Sequence, residues 1–272
     1  MIEPDPAFLS VHGISKRFGG LLAVSEASFT VKEGSITGLI GPNGAGKTTL
    51  FAIVSGFEKP TAGRVLWRGE EITGRAPHLL AREGIARTFQ IVQPFAGLSV
   101  RENIAVGAFL RHKRRADAIA VAEQVAGRVG LAGELDKPAA ALTVAGRKRV
   151  ELAKALATGP KLLLLDEVLA GLNPSEVRDI VPVVRSIRDS GVTVLMIEHV
   201  MQAVMNLCDA VHVLSQGCII AGGTPAEVVR DPAVVEAYLG HGAATRLQAS
   251  DDRRAVRPGG LDRPPEDGGA HA

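Results

Sequence analysis

The sequence predicts an α/β fold built on a parallel sheet, from three observations. The runs "KLLLL" (161–165) and "VTVLMI" (192–197) are apolar apart from Lys161 and Thr193, the composition of strands covered on both faces. The stretch between them, "SEVRDIVPVVRSIRDS" (175–190), has helical periodicity, and strand, helix, strand in that order implies a right-handed parallel crossover. Far upstream, "SITGLI" (35–40) is a third short apolar strand, followed by a glycine-bearing turn and the helical run "KTTLFAIVSG" (47–56).

The remaining elements are justified in chain order. Residues 8–31 alternate in the manner of strands, with "FGG" (18–20) as the turn between them. Gly56 closes the helix that begins at Lys47, because glycine tolerates the left-handed conformation at a helix end. "GRVLWRGEEI" (63–72) is expected to be a hairpin arm. From 99 to 156 the pattern is helical and alanine-rich, with a basic run "RHKRR" (111–115), and "AVHVLSQGCIIAGG" (210–223) predicts a further hairpin. After Gly240 the chain turns to proline, glycine and alternating charge. Residues 241–272 are therefore expected to be a disordered tail, with too little burial to offset the entropy of ordering.

Composition narrows the function classes. A chain of 272 residues can bury a sizeable core, and 46% hydrophobic with 22% charged residues is a globular balance. The net charge of +2 gives no electrostatic support to a nucleic-acid partner. Cys208 and Cys218 form neither a metal-ligand spacing nor a disulfide framework, so reduced thiols are expected. The first residues, "MIEPDPAFLS", lack the basic and apolar regions of a signal peptide. No apolar run approaches the ~20 residues that span a bilayer. Any work at a membrane must then run through another protein.

The chemistry concentrates in a few stretches. "GPNGAGKTT" (Gly41, Pro42, Asn43, Gly44, Ala45, Gly46, Lys47, Thr48, Thr49) fits G-x-x-x-x-G-K-[ST] between a strand and a helix. Glycines let successive backbone N–H groups close on phosphate oxygens, and the helix N-terminus adds partial positive charge. Lys47 is placed to reach the β- and γ-phosphates of ATP, and the Thr48 hydroxyl to meet Mg²⁺. "KLLLLDE" ends a buried strand in two carboxylates. Asp166 suits the metal, and Glu167 could polarise a water for attack on the γ-phosphate. "IEHV" puts His199 at the end of the neighbouring strand, where a γ-phosphate sensor would sit. A lone histidine in such a place is otherwise a packing or surface residue.

The order of these stretches, with "RTFQ" (87–90), a short turn before a basic helix, "AGLN" (170–173) and "IEHV", resembles the ATP-binding subunit of ABC transporters over residues 8–240. "LLDEVLAGLNP", "IEHVM" and "EAYLG" look most like the ATPases of branched-chain amino-acid importers. The resemblance implies a P-loop ATPase core of the ABC type in residues 1–240. It would carry an antiparallel β-subdomain and a helical subdomain near 93–158. Phe18 matches the aromatic that stacks on adenine, although it could equally be a core aromatic. Gln90 matches the glutamine that touches Mg²⁺ and senses the γ-phosphate. "AGLN" matches the loop that crosses a dimer interface, where Asn173 stands for the usual aspartate.

"LTVAG" (142–146) occupies the place of the family's signature loop, commonly Leu-Ser-Gly-Gly-Gln, which contacts the ATP bound by the other subunit. Thr143 keeps the hydroxyl, Val144 and Ala145 replace glycines, and Gly146 stands where glutamine is usual. Alanine costs roughly 1–2 kcal/mol wherever a left-handed backbone is required. The partners implied are two transmembrane permease subunits, a second ATPase subunit that is the same or different, and indirectly a periplasmic solute-binding protein. The place implied is the cytoplasmic face of the membrane. The segment "IVQPFAGLSVRENI" (91–104) is expected to face the membrane subunits, with Phe95 there or in the core. An exporter or lipid-transport ATPase is the alternative. A soluble ABC-type ATPase usually carries two ATPase units or a long coiled coil, and neither is present in this sequence.

Overall fold

The computed structural model describes residues 7–90 and 93–239. The expectations for 241–272, and for Ile91 and Val92 in the segment after Gln90, lie outside the described residues. In chain order the elements are β1 (Leu9–Phe18), β2 (Leu21–Val31), β3 (Ile36–Ile40), α1 (Lys47–Val54), β4 (Ala62–Trp67) and β5 (Glu70–Glu71). Next come α2 (Pro77–Glu83), β6 (Ile85–Arg87), α3 (Val100–Ala108), α4 (Arg115–Arg128) and α5 (Val144–Ala157). The last part holds β7 (Leu162–Asp166), α6 (Pro174–Asp189), β8 (Thr193–Ile197), α7 (Met201–Leu207), β9 (Ala210–Ser215), β10 (Cys218–Gly223), α8 (Pro225–Arg230) and α9 (Pro232–Leu239).

Two sheets result. An antiparallel sheet of order β2-β1-β4-β5 packs on one side of a six-stranded sheet of order β10-β9-β3-β8-β7-β6. In the larger sheet β9, β3, β8, β7 and β6 run parallel, and β10 returns antiparallel at one edge. The predicted crossover is there: β7 and β8 are parallel neighbours with α6 between them in sequence. The hairpin at 63–72 turns on Arg68 and Gly69, both at positive φ (53° and 83°), as a two-residue primed turn requires.

The apolar runs explain the layers. Successive strand residues point to opposite faces. Leu163 and Leu165 therefore enter the core shared with α5, α6 and α7, while Leu162 and Leu164 enter the core shared with α1 and the antiparallel sheet. Val194 and Met196 divide from Leu195 and Ile197 in the same way. The helical region is three helices, α3, α4 and α5, joined through small residues such as Ala105, Ala108, Ala118, Ala122 and Ala153. Most of the basic run 111–115 lies in the link between α3 and α4, and only Arg115 is helical.

Candidate functional site

The C-terminal ends of β3, β7 and β8 open together, and the phosphate loop leaves from β3. Two of its glycines are demanded by close approach. A Cβ on Gly41 (φ 151°) would stand 1.9 Å from the Leu214 carbonyl oxygen, and one on Gly46 (φ 104°) 2.5 Å from that of Ala23. Gly46 caps α1 with no side-chain hydrogen bond. Lys47 is buried, and its Nζ donates to the carbonyls of Gly41 (2.8 Å) and Pro42 (2.9 Å). Burial lowers its pKa, opposed by the nearby charges of Glu167 and Asp166.

A cleft of about 960 Å³ is lined by Phe18, Asn43 to Thr49, Gln90, Glu167 and His199. Sequence positions from 18 to 199 are thus brought to one wall-to-wall site. Leu21, Leu22 and Ala23 after the first turn, and Gln216 and Gly217 in the β9–β10 turn, also line it. Sequence reading missed these five. The only signal at 216–217 is a turn-forming "QG", held here by Gly217 N–H to Ala45 O (3.0 Å). Phe18 is exposed at 44% with the Lys16 ammonium 4.7 Å from its ring centroid, so it is not a core aromatic.

The acidic side is more constrained. Gln90 Nε2 donates to Glu167 Oε2 at 2.7 Å. Glu167 adopts φ 48°, a left-handed backbone that non-glycine residues seldom take without a local cause. Asp166 is buried behind the cleft, and Arg87 Nη2 donates to its Oδ2 at 2.7 Å. Arg87 is a further residue that sequence reading missed. Asp166 Oδ1 is buried without a hydrogen-bond partner among the described residues. The free Asp166 carboxylate oxygen behind the cleft, and the Thr48 hydroxyl and Gln90 amide oxygen in its wall, are all oxygen donors, a chemistry that fits a hard cation such as Mg²⁺ or its hydration water.

Thr143 and Gly146 do not line this cleft. They border a separate cavity of about 350 Å³ with Gly130, Leu131, Lys137 and Arg149. Thr143 is the N-cap of α5, its Oγ1 accepting from Gly146 N–H at 3.1 Å. Val144, Ala145 and Gly146 lie inside the helix, none at positive φ. The left-handed penalty considered for Ala145 therefore does not arise. Asn173 is also an N-cap, accepting from Ser175 and Glu176 N–H at the head of α6. An uncharged amide serves that geometry as well as aspartate does.

The comparisons with known proteins identify a family. The family profile described as "ABC transporter" matches residues 24–170, and one described as "Branched-chain amino acid ATP-binding cassette transporter" matches residues 218–244. The chain is 39% identical over 248 residues to the high-affinity branched-chain amino acid transport ATP-binding protein LivG of Salmonella typhimurium, covering 85% of this chain and 97% of that protein. It is 36% identical over 238 residues to the lipopolysaccharide export system ATP-binding protein LptB of Escherichia coli, covering 86% and 98%. A crystal structure of a nucleotide-free ATP-binding cassette from an ABC transporter superposes with a TM-score of 0.79 at 33% identity, covering 86% of this chain and all of that one.

Proposed function

The chain belongs to the ABC transporter family as its ATP-binding, ATP-hydrolysing subunit, and from that premise we propose that it energises import of branched-chain amino acids through separate membrane subunits. The observation that carries the substrate class is the match of residues 218–244 to the branched-chain cassette profile, since that region lies beyond the general ATPase match at 24–170. The 36% identity to LptB supports a second reading, a lipid-export ATPase.

In the proposed site, the backbone N–H groups of 43–48 and the Lys47 ammonium hold the phosphates, and Phe18 carries the adenine. Lys47 is partly desolvated, so it gains strongly from a polyphosphate. Glu167 accepts the proton of a water lined up on the γ-phosphate, with His199 and Gln90 placed to contact that phosphate. Thr48, Gln90 and Asp166 would hold Mg²⁺. When bound, the ion neutralises charge on the β- and γ-phosphates.

Completion of the site calls for a second ATPase subunit, because Thr143 and Gly146 of this chain lie away from its own cleft and suit the ATP of a partner. Docking to permeases is supported by an apolar groove of about 390 Å³ lined by Phe57, Phe89, Phe95 and Val106. Phe95 is 49% exposed there and not a core residue. No helix among the described residues is long and apolar enough to cross a membrane. Peripheral attachment at the cytoplasmic face, residues 93–158 as a helical subdomain, and a periplasmic solute-binding protein upstream complete the proposal.

The test is uptake of labelled leucine, isoleucine and valine by cells in which Lys47→Ala replaces the wild-type chain. Lost uptake of all three is the expected result. Normal uptake together with a lipid-export defect favours the second reading.

A further inference from the structure

Glu198 and Lys148 belong to none of the contacts described so far, yet both are buried and both act on the same three residues. Glu198 follows β8 and is fully buried; Lys148 lies two residues past Gly146 on α5 and is 7% exposed. Lys148 Nζ donates to the Glu167 carbonyl oxygen at 2.9 Å. Glu198 Oε1 accepts the Leu169 backbone N–H at 2.8 Å. Between those two bonds stands the bend that begins at Glu167, φ 48°.

We propose that Glu198 and Lys148 are positioning residues that hold the bend at Glu167, and through it the direction of the Glu167 carboxylate. The inference rests on the reading of Glu167 as the residue that polarises water. A left-handed non-glycine residue persists where its surroundings over-determine it. Here the Glu167 N–H is held by Ile197 O (3.0 Å), its carbonyl by the Ala170 N–H (3.1 Å) within the turn and by Lys148 from α5, and the N–H of Leu169 by Glu198. Two buried charges cost solvation that apolar side chains of similar volume would not. What they supply instead is a fixed donor and a fixed acceptor, one at each end of residues 167–169. Each also offsets the burial of the other: Lys148 lowers the pKa that burial raises at Glu198, and Glu198 raises the one that burial lowers at Lys148. Because Lys148 sits on α5, the Glu167 bend is tied to the helix headed by residues 142–146.

The test uses the full chain in its reconstituted transporter complex. The variants are Glu198→Ala, Glu198→Gln, Lys148→Met and, as reference, Glu167→Gln. Glu198→Ala and Lys148→Met should lower kcat about 10- to 100-fold while KM for ATP stays within about twofold. Amide exchange at Leu169 should accelerate in Glu198→Ala. Glu198→Gln retains an acceptor and should restore slow exchange and part of kcat. Should Glu198→Ala not fold, Lys148→Met and Glu198→Gln carry the test. Wild-type kcat in Lys148→Met and Glu198→Ala beside an inactive Glu167→Gln overturns the inference alone. So does a loss confined to KM. Near-normal turnover in Glu167→Gln instead overturns the reading beneath it, and the Leu169 exchange then reports separately whether the bend is held.

Discussion

Two helices in this chain carry a glycine at their start, α1 as its cap and α5 within its first turn, and the two starts are built in opposite ways. At α1 the cap is Gly46 at φ 104°, with no side-chain hydrogen bond, so the first backbone donors are left for a ligand. At α5 the cap is Thr143 in an extended conformation, and its hydroxyl consumes the Gly146 N–H. The first turn needs glycine because the backbone is left-handed and a carbonyl stands where a Cβ would be. The second turn needs no such freedom, since Ala145 and Gly146 have ordinary helical backbone. A glycine near a helix start is thus not by itself a phosphate cradle; its φ and its neighbours decide.

The largest expected contrast is in ligand binding. Lys47→Ala removes the buried ammonium of the first turn and should weaken equilibrium ATP binding about 10- to 100-fold in the isolated chain. Unchanged affinity would remove the first turn from the site. A Thr143→Ala chain should bind ATP as the wild type does, because Thr143 lies outside the cleft of its own chain.

Next comes a pair of identical substitutions. Gly46→Ala combines a left-handed φ with a Cβ 2.5 Å from a carbonyl oxygen, and should lower unfolding free energy by roughly 2 kcal/mol or more. At Gly146 a Cβ would meet the Leu142 Cβ at 3.1 Å and the Thr143 Oγ1 at 3.4 Å, side-chain atoms rather than backbone, so for Gly146→Ala helix propensity and a small shift nearly cancel, within about 1 kcal/mol. Thermal melts of both would break the comparison if the two losses were equal.

The pH dependence sharpens the environment of α5. Burial pushes Glu198 up to about 7, with the Leu169 N–H and then Lys148 opposing the shift and Glu167 adding to it. A raised carboxylate pKa means the folded state holds the proton more tightly than the unfolded chain. That stability is fully present below the unfolded carboxylate range and is lost as pH rises to about 7. Glu198→Gln keeps it, so its melting temperature should gain on the wild type between pH 5 and 7.5, by roughly a few degrees.

The smallest effects concern the α5 cap. Thr143→Ala should cost about 1 kcal/mol through the lost N-cap. Ala145→Gly should cost about 0.5–1 kcal/mol through helix entropy. If Ala145→Gly raises turnover of the assembled complex, its methyl group obstructs the partner's phosphate; unchanged turnover shows a tolerated substitution.

Much of this was legible along the chain. The strands 161–165 and 192–197 could be read because burial on both faces leaves them almost wholly apolar, Lys161 at one end and Thr193 apart. The nine residues of the phosphate loop could be read because their glycine spacing is local. Asp166 and Glu167 could be read because charge at the end of an apolar run is unusual. Three-residue β6 could not, since so short a run has no period, and Arg87 within it carries no sign that it meets Asp166 across the sheet.

By itself the sequence determined the α/β class, the phosphate-binding turn and the acidic strand end, because each is encoded by neighbours within about ten residues and by backbone preferences that act locally. Only the tertiary structure decided that Phe18 is exposed, that Ala145 is helical, and that Lys148 and Glu198 meet at residues 167–169. Lys47, Glu167 and His199 share a site because the parallel strands β3, β7 and β8 align their ends. That alignment comes from sheet order, which no local pattern contains.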